Sequence, residues 1–430
     1  MRVVMNYGRE GLEVELPDDW DVRIIRKRPM PVLDDPVAAM EAALNHPVGC
    51  PPLVDLAKGK RTACILICDI TRPVPNKVIL PALIRRLMDG GLDPSNIQVL
   101  VATGLHRPNL GEELVELVGD PWVLDTVPVA NHFARNDRDH VGIGAISRGV
   151  EVLLDRRFVE ADIKIATGLV EPHFMAGYSG GRKVIMPGVA HQSTITALHT
   201  ARFFEHPRSA NCILEGNPLH EAQLEVVRAL GGALAVNAVI DEHRRISFLN
   251  FGETETSHLE AVRFARPYGE IPVFEKFRTV LTSGAGYPLD RTYYQTVKGM
   301  VGAMDLLEPG GDLFIVSEIS EGFGSPEYRQ AQERLIRLGP EGFLKEILPR
   351  EHALVDEWQT EMQLKPMRIG QIHLYTQVLD PDERALTGVR IVEDLGGEIR
   401  KSVERSGHKR IVVVPEGPYV VPMYRAGPHR

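Results

Sequence analysis

Short apolar runs rich in β-branched residues alternate with helical patterns along most of this chain of 430 residues. The first series predicts a strand over 62–69, a helix over 75–88, a strand over 96–104 and a helix over 111–119. Buried strands separated by helices indicate a parallel sheet covered on both faces. The predicted fold class is therefore α/β.

The alternation begins again in the second half, with a helix predicted from about Thr292 to Leu307. Strands are predicted there over 278–286, 310–318, 371–378 and 410–417. Residues 2–16 predict a strand hairpin at the start of the chain, and residues 142–155 predict another. A further strand is predicted within 161–173, and residues 191–206 predict one helix.

A composition shift at residues 264–274, with two prolines and a glycine, predicts a linker. We therefore expect an N-terminal α/β domain over 1–268 and a C-terminal α/β domain over 273–430. An active-site cleft between the two domains is expected, since domain interfaces often bind small molecules. The last residues of the chain are expected to pack back on the first domain.

Composition narrows the class of function. With 43% apolar and 25% charged residues, the chain is typical of globular proteins, and no apolar run reaches the length of a membrane span. The net charge of −9 and the lack of a long basic tract disfavour nucleic-acid and membrane-surface partners. The four cysteines form no Cys-x-x-Cys pair, which disfavours a cysteine metal site. We expect a cytoplasmic protein.

Polar turns follow three predicted strands, in the segments DITRP, ATGLHRP and ATGLVEPH. Ligands of open α/β sheets bind at the carboxyl ends of the strands. Arg72 in the first turn could bind a carboxylate or phosphate, or it could pair with Asp69 in a structural turn. His106 and His173 in the other turns suit proton transfer near neutral pH, although lone surface histidines are as common.

Glycines 177, 180 and 181 precede Lys183 and could let the backbone approach a phosphate. The spacing is not that of a Walker A loop, and Val184 stands where Ser or Thr would bind magnesium. Gly142 and Gly144 lie in the predicted hairpin rather than in a strand-turn-helix unit. ATP and NAD are both disfavoured.

Two helical segments carry further candidates. His199 is placed mid-helix, facing a core or cleft, and a core histidine bonded to backbone is the alternative. Gln295 and Lys298 share one helix face and could hold a carboxylate, although a solvated face is the alternative.

The ordered motifs together resemble the lactate racemase family, from about residue 3 to beyond residue 320. They are YGREGLEVELPDD, DITRPVP, TGLHRP, EPHFMAGYSGGRKVIMPG, ALHTARFFEHP and YPLDRTYYQTVKGM. The resemblance implies an isomerase that inverts C2 of a 2-hydroxy acid through a 2-keto acid. It also implies a nickel-pincer nucleotide cofactor, the Ni(II) complex of a pyridinium-3,5-bisthiocarboxylic acid mononucleotide, which takes up and returns hydride.

The resemblance also implies residue roles. Lys183 would form a thioamide link to the cofactor, and His199 would ligate the nickel. His106 and His173 would be the paired acid and base. The remaining cofactor contacts would be Asp69, Ile70, Thr71, Arg72 and Pro187. The substrate carboxylate would be held by Arg72, Gln295 and Lys298.

The family acts on several 2-hydroxy acids, and the side-chain pocket decides among them. Candidate walls are Tyr293, Tyr294, Met300 and Trp358, with a core role for Trp358 equally open. Partners implied are a small 2-hydroxy acid and the proteins that make the cofactor. Other functions compatible with these residues are an NAD-dependent 2-hydroxy acid dehydrogenase, a histidine-metal hydrolase and a non-enzymatic nickel-cofactor carrier.

Overall fold

The structure is a computed structural model that describes residues 1–426. The strands in chain order are β1 (Arg2–Met5), β2 (Leu12–Glu15), β3 (Asp21–Ile24), β4 (Ala63–Cys68), β5 (Ile97–Ala102), β6 (Val129–Asn131), β7 (His140–Ile146), β8 (Val150–Asp155), β9 (Ile163–Leu169), β10 (Pro172–His173), β11 (Gly177–Tyr178), β12 (Leu234–Ile240), β13 (Ile246–Glu253), β14 (Glu270–Val273), β15 (Phe277–Ser283), β16 (Leu307–Val316), β17 (Gln371–Tyr375), β18 (Arg390–Ile391), β19 (Arg410–Val414) and β20 (Val421–Tyr424).

The helices in chain order are α1 (Pro36–Asn45), α2 (Leu53–Ala57), α3 (Asn76–Asp89), α4 (Glu112–Val118), α5 (Pro121–Thr126), α6 (Arg156–Val159), α7 (Arg182–Ile185), α8 (Gln192–Leu198), α9 (Ala201–Phe204), α10 (Pro218–Ala229), α11 (Thr254–Gly269), α12 (Tyr293–Ala303), α13 (Pro326–Ile347), α14 (Glu357–Met367), α15 (Pro381–Leu386) and α16 (Leu395–Ser406).

The chain forms two compact units, each with its own sheet, which confirms the predicted α/β class. Unit A comprises Pro29–Leu198 and Ile213–Arg266. Unit B comprises Met1–Arg28, His199–Cys212 and Pro267–Arg430.

Unit A is built on a six-stranded sheet in the order β13-β12-β9-β4-β5-β6. The strands are parallel except for β13, which pairs antiparallel with β12 at one edge. The central strand β4 reads Ala-Cys-Ile-Leu-Ile-Cys and is buried along almost its whole length, as expected for a strand covered on both faces. The apolar face of helix α3 packs against the sheet and shares an apolar core with β4.

Unit B is built on a parallel sheet in the order β18-β17-β16-β15-β19-β3. The predicted N-terminal hairpin is confirmed as β1 and β2, which pair antiparallel. Val3, Met5 and Val14 of this hairpin lie in the apolar core of unit B with Leu281 and Phe314. The alternation of apolar and polar residues in the hairpin therefore marks the face that packs on the sheet.

The boundary between the two units, after Arg266, falls within the predicted linker over 264–274, but the segment is helix and strand rather than an irregular linker. Residues up to Gly269 complete α11, and β14 follows without a gap. Pro267 lies in the last turn of α11, where its missing N–H removes one helical hydrogen bond, and the helix ends at Gly269. Proline and glycine therefore mark the end of a helix here rather than a flexible segment.

The single helix predicted over 191–206 is wrong. It is divided into α8 and α9, because Thr200 adopts an extended backbone with φ −82° and ψ 158°. β-Branched threonine favours such a conformation and is common at the start of a helix. His199 therefore lies at the break between two short helices and not in the middle of one.

The C-terminal strand β20 pairs in parallel with β14 inside unit B. Residues 427–430, the end of the segment expected to pack on the first domain, lie outside the described residues. Within residues 1–426, no helix is both long enough and apolar enough to cross a membrane.

Candidate active site

The order of strands in unit A sets the position of its polar turns. Strands β4 and β9 are neighbours, and the chain proceeds from β4 to β5 on one side and from β9 to β12 on the other. This reversal is a topological switch point, where the loops at the carboxyl ends diverge and leave room for a ligand. The turns predicted to carry function follow β4, β5 and β9.

His106, in the turn after β5, faces Asp69, in the turn after β4. The His106 Nδ1 lies 2.6 Å from the Asp69 Oδ2. Because a carboxylate can only accept, His106 donates from Nδ1, which leaves the Nε2 lone pair for a proton. The His106 side chain is 53% exposed and that of Asp69 only 8%.

Asp69 remains charged in spite of its burial. Burial alone would raise the pKa of Asp69, but the charge of His106 and hydrogen bonds from His106 and Thr71 outweigh it and lower the pKa to about 2. The Thr71 hydroxyl donates to Asp69 Oδ1 at 2.5 Å. The carboxylate is thus held by both neighbours, as in other Asp-His pairs that orient an imidazole.

Arg72 joins the turns after β4 and β9. Its Nη1 lies 2.5 Å from the Glu171 Oε1, and both side chains are 23% exposed. The carboxylate that pairs with Arg72 is therefore Glu171, whereas that of Asp69 binds Thr71 and His106. Glu171 was not among the predicted site residues, although it lies in the same strand-end segment as His173.

His173 has the opposite hydrogen-bonding arrangement to His106. It lies in the two-residue strand β10, which pairs with β11, and the residue is 9% exposed. Its Nδ1 accepts the backbone N–H groups of Met175 and Ala176, each at 3.2 Å. A ring nitrogen that accepts carries no hydrogen, so the hydrogen of the neutral ring is on Nε2.

Lys183 lies in the short helix α7. Its ammonium makes no hydrogen bond or salt bridge within residues 1–426. Burial, followed by the charge of Arg72, lowers the pKa of Lys183 to about 8. The side chain therefore reaches its neutral, nucleophilic form more readily than an ordinary lysine.

The glycines before Lys183 are required for close packing. A Cβ on Gly177 would lie 2.2 Å from the Ile213 carbonyl oxygen, and one on Gly180 would lie 2.8 Å from that of Leu169. Both glycines have a positive φ, which residues other than glycine rarely adopt. Close packing therefore accounts for both glycines.

Two further predicted contacts belong to neighbouring turns. Pro187 precedes Gly188, whose carbonyl accepts the N–H of Gly104 at 2.9 Å, so the Pro187 turn lies beside the turn that leads to His106. The Ile70 N–H is 3.4 Å from the Asn109 Oδ1, which fixes the turn after β4.

Unit B holds the other predicted cofactor ligand. The His199 ring lies 4.9 Å from the Trp358 ring and 5.5 Å from the Phe204 ring, centroid to centroid. Trp358 Nε1 in turn donates to the Tyr294 hydroxyl at 3.1 Å. A wall of aromatic side chains therefore supports His199, which is 9% exposed.

Helix α12 confirms the predicted spacing of Gln295 and Lys298, one turn apart. The Thr292 side chain caps the helix by accepting the Gln295 N–H. The Gln295 Oε1 is buried and has no hydrogen-bond partner in the part of the chain that the structure describes. Of the candidate pocket walls, Tyr293 and Met300 are fully buried in the core, Trp358 lies against His199, and Tyr294 binds Trp358.

No group of three or more His, Cys, Asp or Glu side chains that could hold a metal ion occurs within residues 1–426. His199 can supply a single imidazole ligand.

Comparison with known proteins agrees with this two-unit α/β architecture. The family model of the lactate racemase N-terminal domain matches residues 7–211, and that of the lactate racemase C-terminal domain matches residues 275–421. The chain belongs to the lactate racemase family.

Two relatives and two solved structures are similar over most of the chain. Lactate racemase of Lactiplantibacillus plantarum is 31% identical over 88% of this chain and 89% of its own length. Lactate racemase of Thermoanaerobacterium thermosaccharolyticum is 31% identical over 96% of this chain and 97% of its own length. The structure of the latter apoprotein matches with a TM-score of 0.91 and 29% identity over 98% of this chain and all of that one. A Thermotoga maritima protein shares the fold alone, with a TM-score of 0.67 and 17% identity over 90% of this chain and 98% of its own.

Proposed function

We propose that the protein is an isomerase that inverts C2 of a 2-hydroxy acid, lactate or a larger acid, through a 2-keto acid. The observation that carries the proposal is the contrast between its two strand-end histidines. His106 offers a lone pair at Nε2, whereas His173 offers a hydrogen at Nε2. A reaction that deprotonates a hydroxyl group and stabilises the resulting carbonyl oxygen can use a proton acceptor and a hydrogen-bond donor in these two places.

In one direction His106 accepts the hydroxyl proton of the substrate at Nε2 while C2 loses hydride. Asp69 stabilises the imidazolium that forms, because its carboxylate accepts the Nδ1 hydrogen at 2.6 Å. The 2-keto acid is planar, so its other face can be presented after rotation. His173 then donates a hydrogen bond from Nε2 to the keto oxygen as hydride returns, and the His106 imidazolium gives its proton back to that oxygen, so that both rings end neutral.

The substrate carboxylate is assigned to Arg72, Gln295 and Lys298. In this assignment Gln295 donates to the carboxylate through Nε2, because its buried Oε1, which has no hydrogen-bond partner within residues 1–426, can only accept. Arg72 donates to Glu171 through Nη1, and its planar guanidinium has the fork geometry that matches a carboxylate. Holding the carboxylate while the rest of the molecule turns is positional catalysis.

The residues fit the nickel-pincer nucleotide of the family. Lys183 has an amine without a hydrogen-bond partner in the described chain and a lowered pKa, as an acyl-type link to a thiocarboxyl group requires. His199 can supply one nitrogen ligand to nickel. Contacts are proposed for Asp69, Ile70, Thr71, Arg72 and Pro187. When bound, the group takes up hydride from C2 and returns it, and separate cofactor-making proteins must supply it.

The proposal is tested with protein co-produced with the cofactor-making enzymes and then desalted. We expect near-stoichiometric nickel, a mass increase on Lys183 and interconversion of enantiopure 2-hydroxy acids on chiral chromatography. His199→Ala should lose nickel, and His243→Ala, which changes an exposed histidine, should not.

Other results of that experiment would contradict the proposal. Nickel retained without any conversion would indicate a cofactor carrier. Net oxidation that consumes NAD would indicate a dehydrogenase. Full conversion by Lys183→Ala would exclude the assigned attachment residue.

A further inference from the structure

Arg182 is a fully buried arginine directly before Lys183. It forms no salt bridge within residues 1–426, and burial lowers its pKa to about 9. Its guanidinium donates instead to backbone carbonyls of the segment between His173 and Lys183. The distances are 3.0 Å to Ala176 O, 2.9 Å to Tyr178 O and 3.4 Å to Gly180 O.

The first of these carbonyls leads to His173. Arg182 Nη2 binds the carbonyl of Ala176, and the N–H of the same residue donates to His173 Nδ1 at 3.2 Å. The Ala176 backbone therefore has one partner on each side. The N–H lies in the peptide unit of the Met175 carbonyl, which accepts Asn217 Nδ2 at 2.9 Å, and the Ala176 carbonyl lies in the next unit, which Arg182 holds. The two units meet at the Ala176 Cα, so Arg182 restrains the rotation there that would turn the N–H away from His173 Nδ1.

The third carbonyl leads to Lys183. The Gly180 carbonyl accepts both Arg182 Nη1 and the backbone N–H of Lys183, the latter at 3.0 Å. One guanidinium thus holds both ends of the segment that joins the histidine to the lysine. A lysine in place of Arg182 has no planar fork and cannot reach all three carbonyls in the same geometry.

A buried histidine also lies beside Arg182. The His258 Nε2 lies 2.8 Å from Arg182 Nη1 and 2.8 Å from the Ser179 carbonyl oxygen, to which it donates. Burial and the charge of Arg182 lower the pKa of His258 and lower that of His220 to about 3, so both rings are neutral. The backbone carbonyls are therefore the groups that stabilise the buried charge of Arg182. Their hydrogen bonds to Arg182 in turn restrain the backbone conformation of residues 176–180.

We propose that Arg182 is a positioning residue, which holds the Ala176 backbone so that His173 keeps its hydrogen on Nε2. The importance of His173 rests on the proposed function, but the hydrogen-bond relay does not. A side chain that no motif singles out would in this way set the proton state of one member of the histidine pair.

The test is ¹⁵N NMR of the ring nitrogens in histidine-labelled full-length protein, with His173 assigned by comparison with His173→Asn. In the unmodified chain we expect His173 to show a protonated Nε2 and an unprotonated Nδ1. Arg182→Met and Arg182→Lys should shift His173 towards a mixture of tautomers and leave His106 unchanged. Arg86→Met, which removes an arginine paired with Glu41 in the same unit, should shift neither.

Two results would overturn the proposal. One is a protonated Nδ1 on His173 in the unmodified chain, a measurement that needs no variant to fold. The other is an unchanged His173 tautomer in a folded Arg182 variant. Kinetics provide an independent test: in the cofactor-loaded enzyme, the Arg182 variants should lower kcat roughly 10- to 100-fold with little change in KM. A tautomer shift in a protein that converts no 2-hydroxy acid would refute the proposed function alone.

Discussion

The Nδ1 of His106 lies 2.6 Å from the Oδ2 of Asp69, so two neighbouring strand-end turns of unit A are joined by an imidazole-carboxylate pair. Asp69 is buried and already charged, whereas His106 is half exposed. The arrangement fixes the tautomer of the exposed ring, with the hydrogen on Nδ1 and the lone pair on Nε2.

Asp69→Asn should change the tautomer of His106 without unfolding the protein. The amide can donate to Nδ1, which favours the tautomer with hydrogen on Nε2 and removes the lone pair from the substrate side. We expect kcat to fall by ~100-fold or more, as for loss of a positioned general base. Chiral assay of the loaded enzyme measures this, and Asp93→Asn, which changes an exposed helix-capping aspartate, should retain full activity. An active Asp69→Asn enzyme would contradict the assigned role.

Lys183 should react with amine-directed reagents at unusually low pH. Its pKa of about 8 means that the neutral amine predominates above pH 8, and protonation suppresses the reaction below it. Labelling of the cofactor-free protein across pH 6 to 11, read by peptide mass spectrometry, should give a midpoint near 8. Arg72→Met should raise that midpoint, because it removes a neighbouring positive charge. A midpoint equal to that of the exposed Lys401 would show that the environment has no such effect.

Asp155 should contribute to stability in a pH-dependent manner. The fully buried carboxylate binds His132 at 3.0 Å and Arg157 at 2.6 Å. Burial would raise the pKa of Asp155, but hydrogen bonds from Arg157 and His132 and their charges lower it from 3.8 to about 2. The stabilisation is therefore complete above about pH 4 and is lost as the pH falls towards 2.

Asp155→Asn should lower the free energy of unfolding by about 3 kcal/mol at pH 7, because it leaves His132 without its buried partner. Urea unfolding of the full chain measures the difference, which should shrink as the pH is lowered from 5 towards 2. Asp89→Asn, at a side chain 61% exposed, should change little at either pH. A difference that is constant with pH would contradict the sign of the pKa shift.

Trp358 should matter for retention of nickel rather than for folding. Its ring lies against that of His199, and its N–H binds the Tyr294 hydroxyl. Trp358→Phe keeps an aromatic face against the imidazole and should keep most of the nickel after desalting. Trp358→Ala removes that support and should lose nickel while the circular dichroism spectrum is retained. Equal nickel in both variants would mean that the aromatic wall does not orient His199.

Much of the fold could be predicted from the sequence because local patterns coincide with buried elements. The run from Ala63 to Cys68 is apolar enough to be a central strand, and Tyr293 to Ala303 has the spacing of a helix. The break at Thr200 was missed, because a helical pattern extends on both sides of it and a single extended residue has no strong signal. Proline and glycine near Pro267 predict a linker, whereas α11 continues past the proline to Gly269 because its packing outweighs the one hydrogen bond that proline removes.

The candidate site was predictable where a residue type implies chemistry. His106 and His173 could be proposed from their place after apolar strands, but their opposite tautomers depend on partners far away in sequence or on backbone geometry. Glu171 and Arg182 were missed for the same reason: their roles follow from burial and from which carbonyl or guanidinium lies opposite. Burial of an arginine is a tertiary property that composition does not reveal.

The central claim is that hydride leaves C2 and returns to the same carbon on its other face. The most direct measurement uses lactate of one configuration carrying deuterium at C2, incubated with the loaded enzyme in ordinary water. If lactate is not a substrate, the 2-hydroxy acid converted fastest in the screen takes its place. The two enantiomers are then separated by chiral chromatography, and the deuterium content of each is measured by mass spectrometry. We predict that the newly formed enantiomer retains its deuterium, and an enantiomer that has exchanged deuterium for solvent hydrogen would contradict the account.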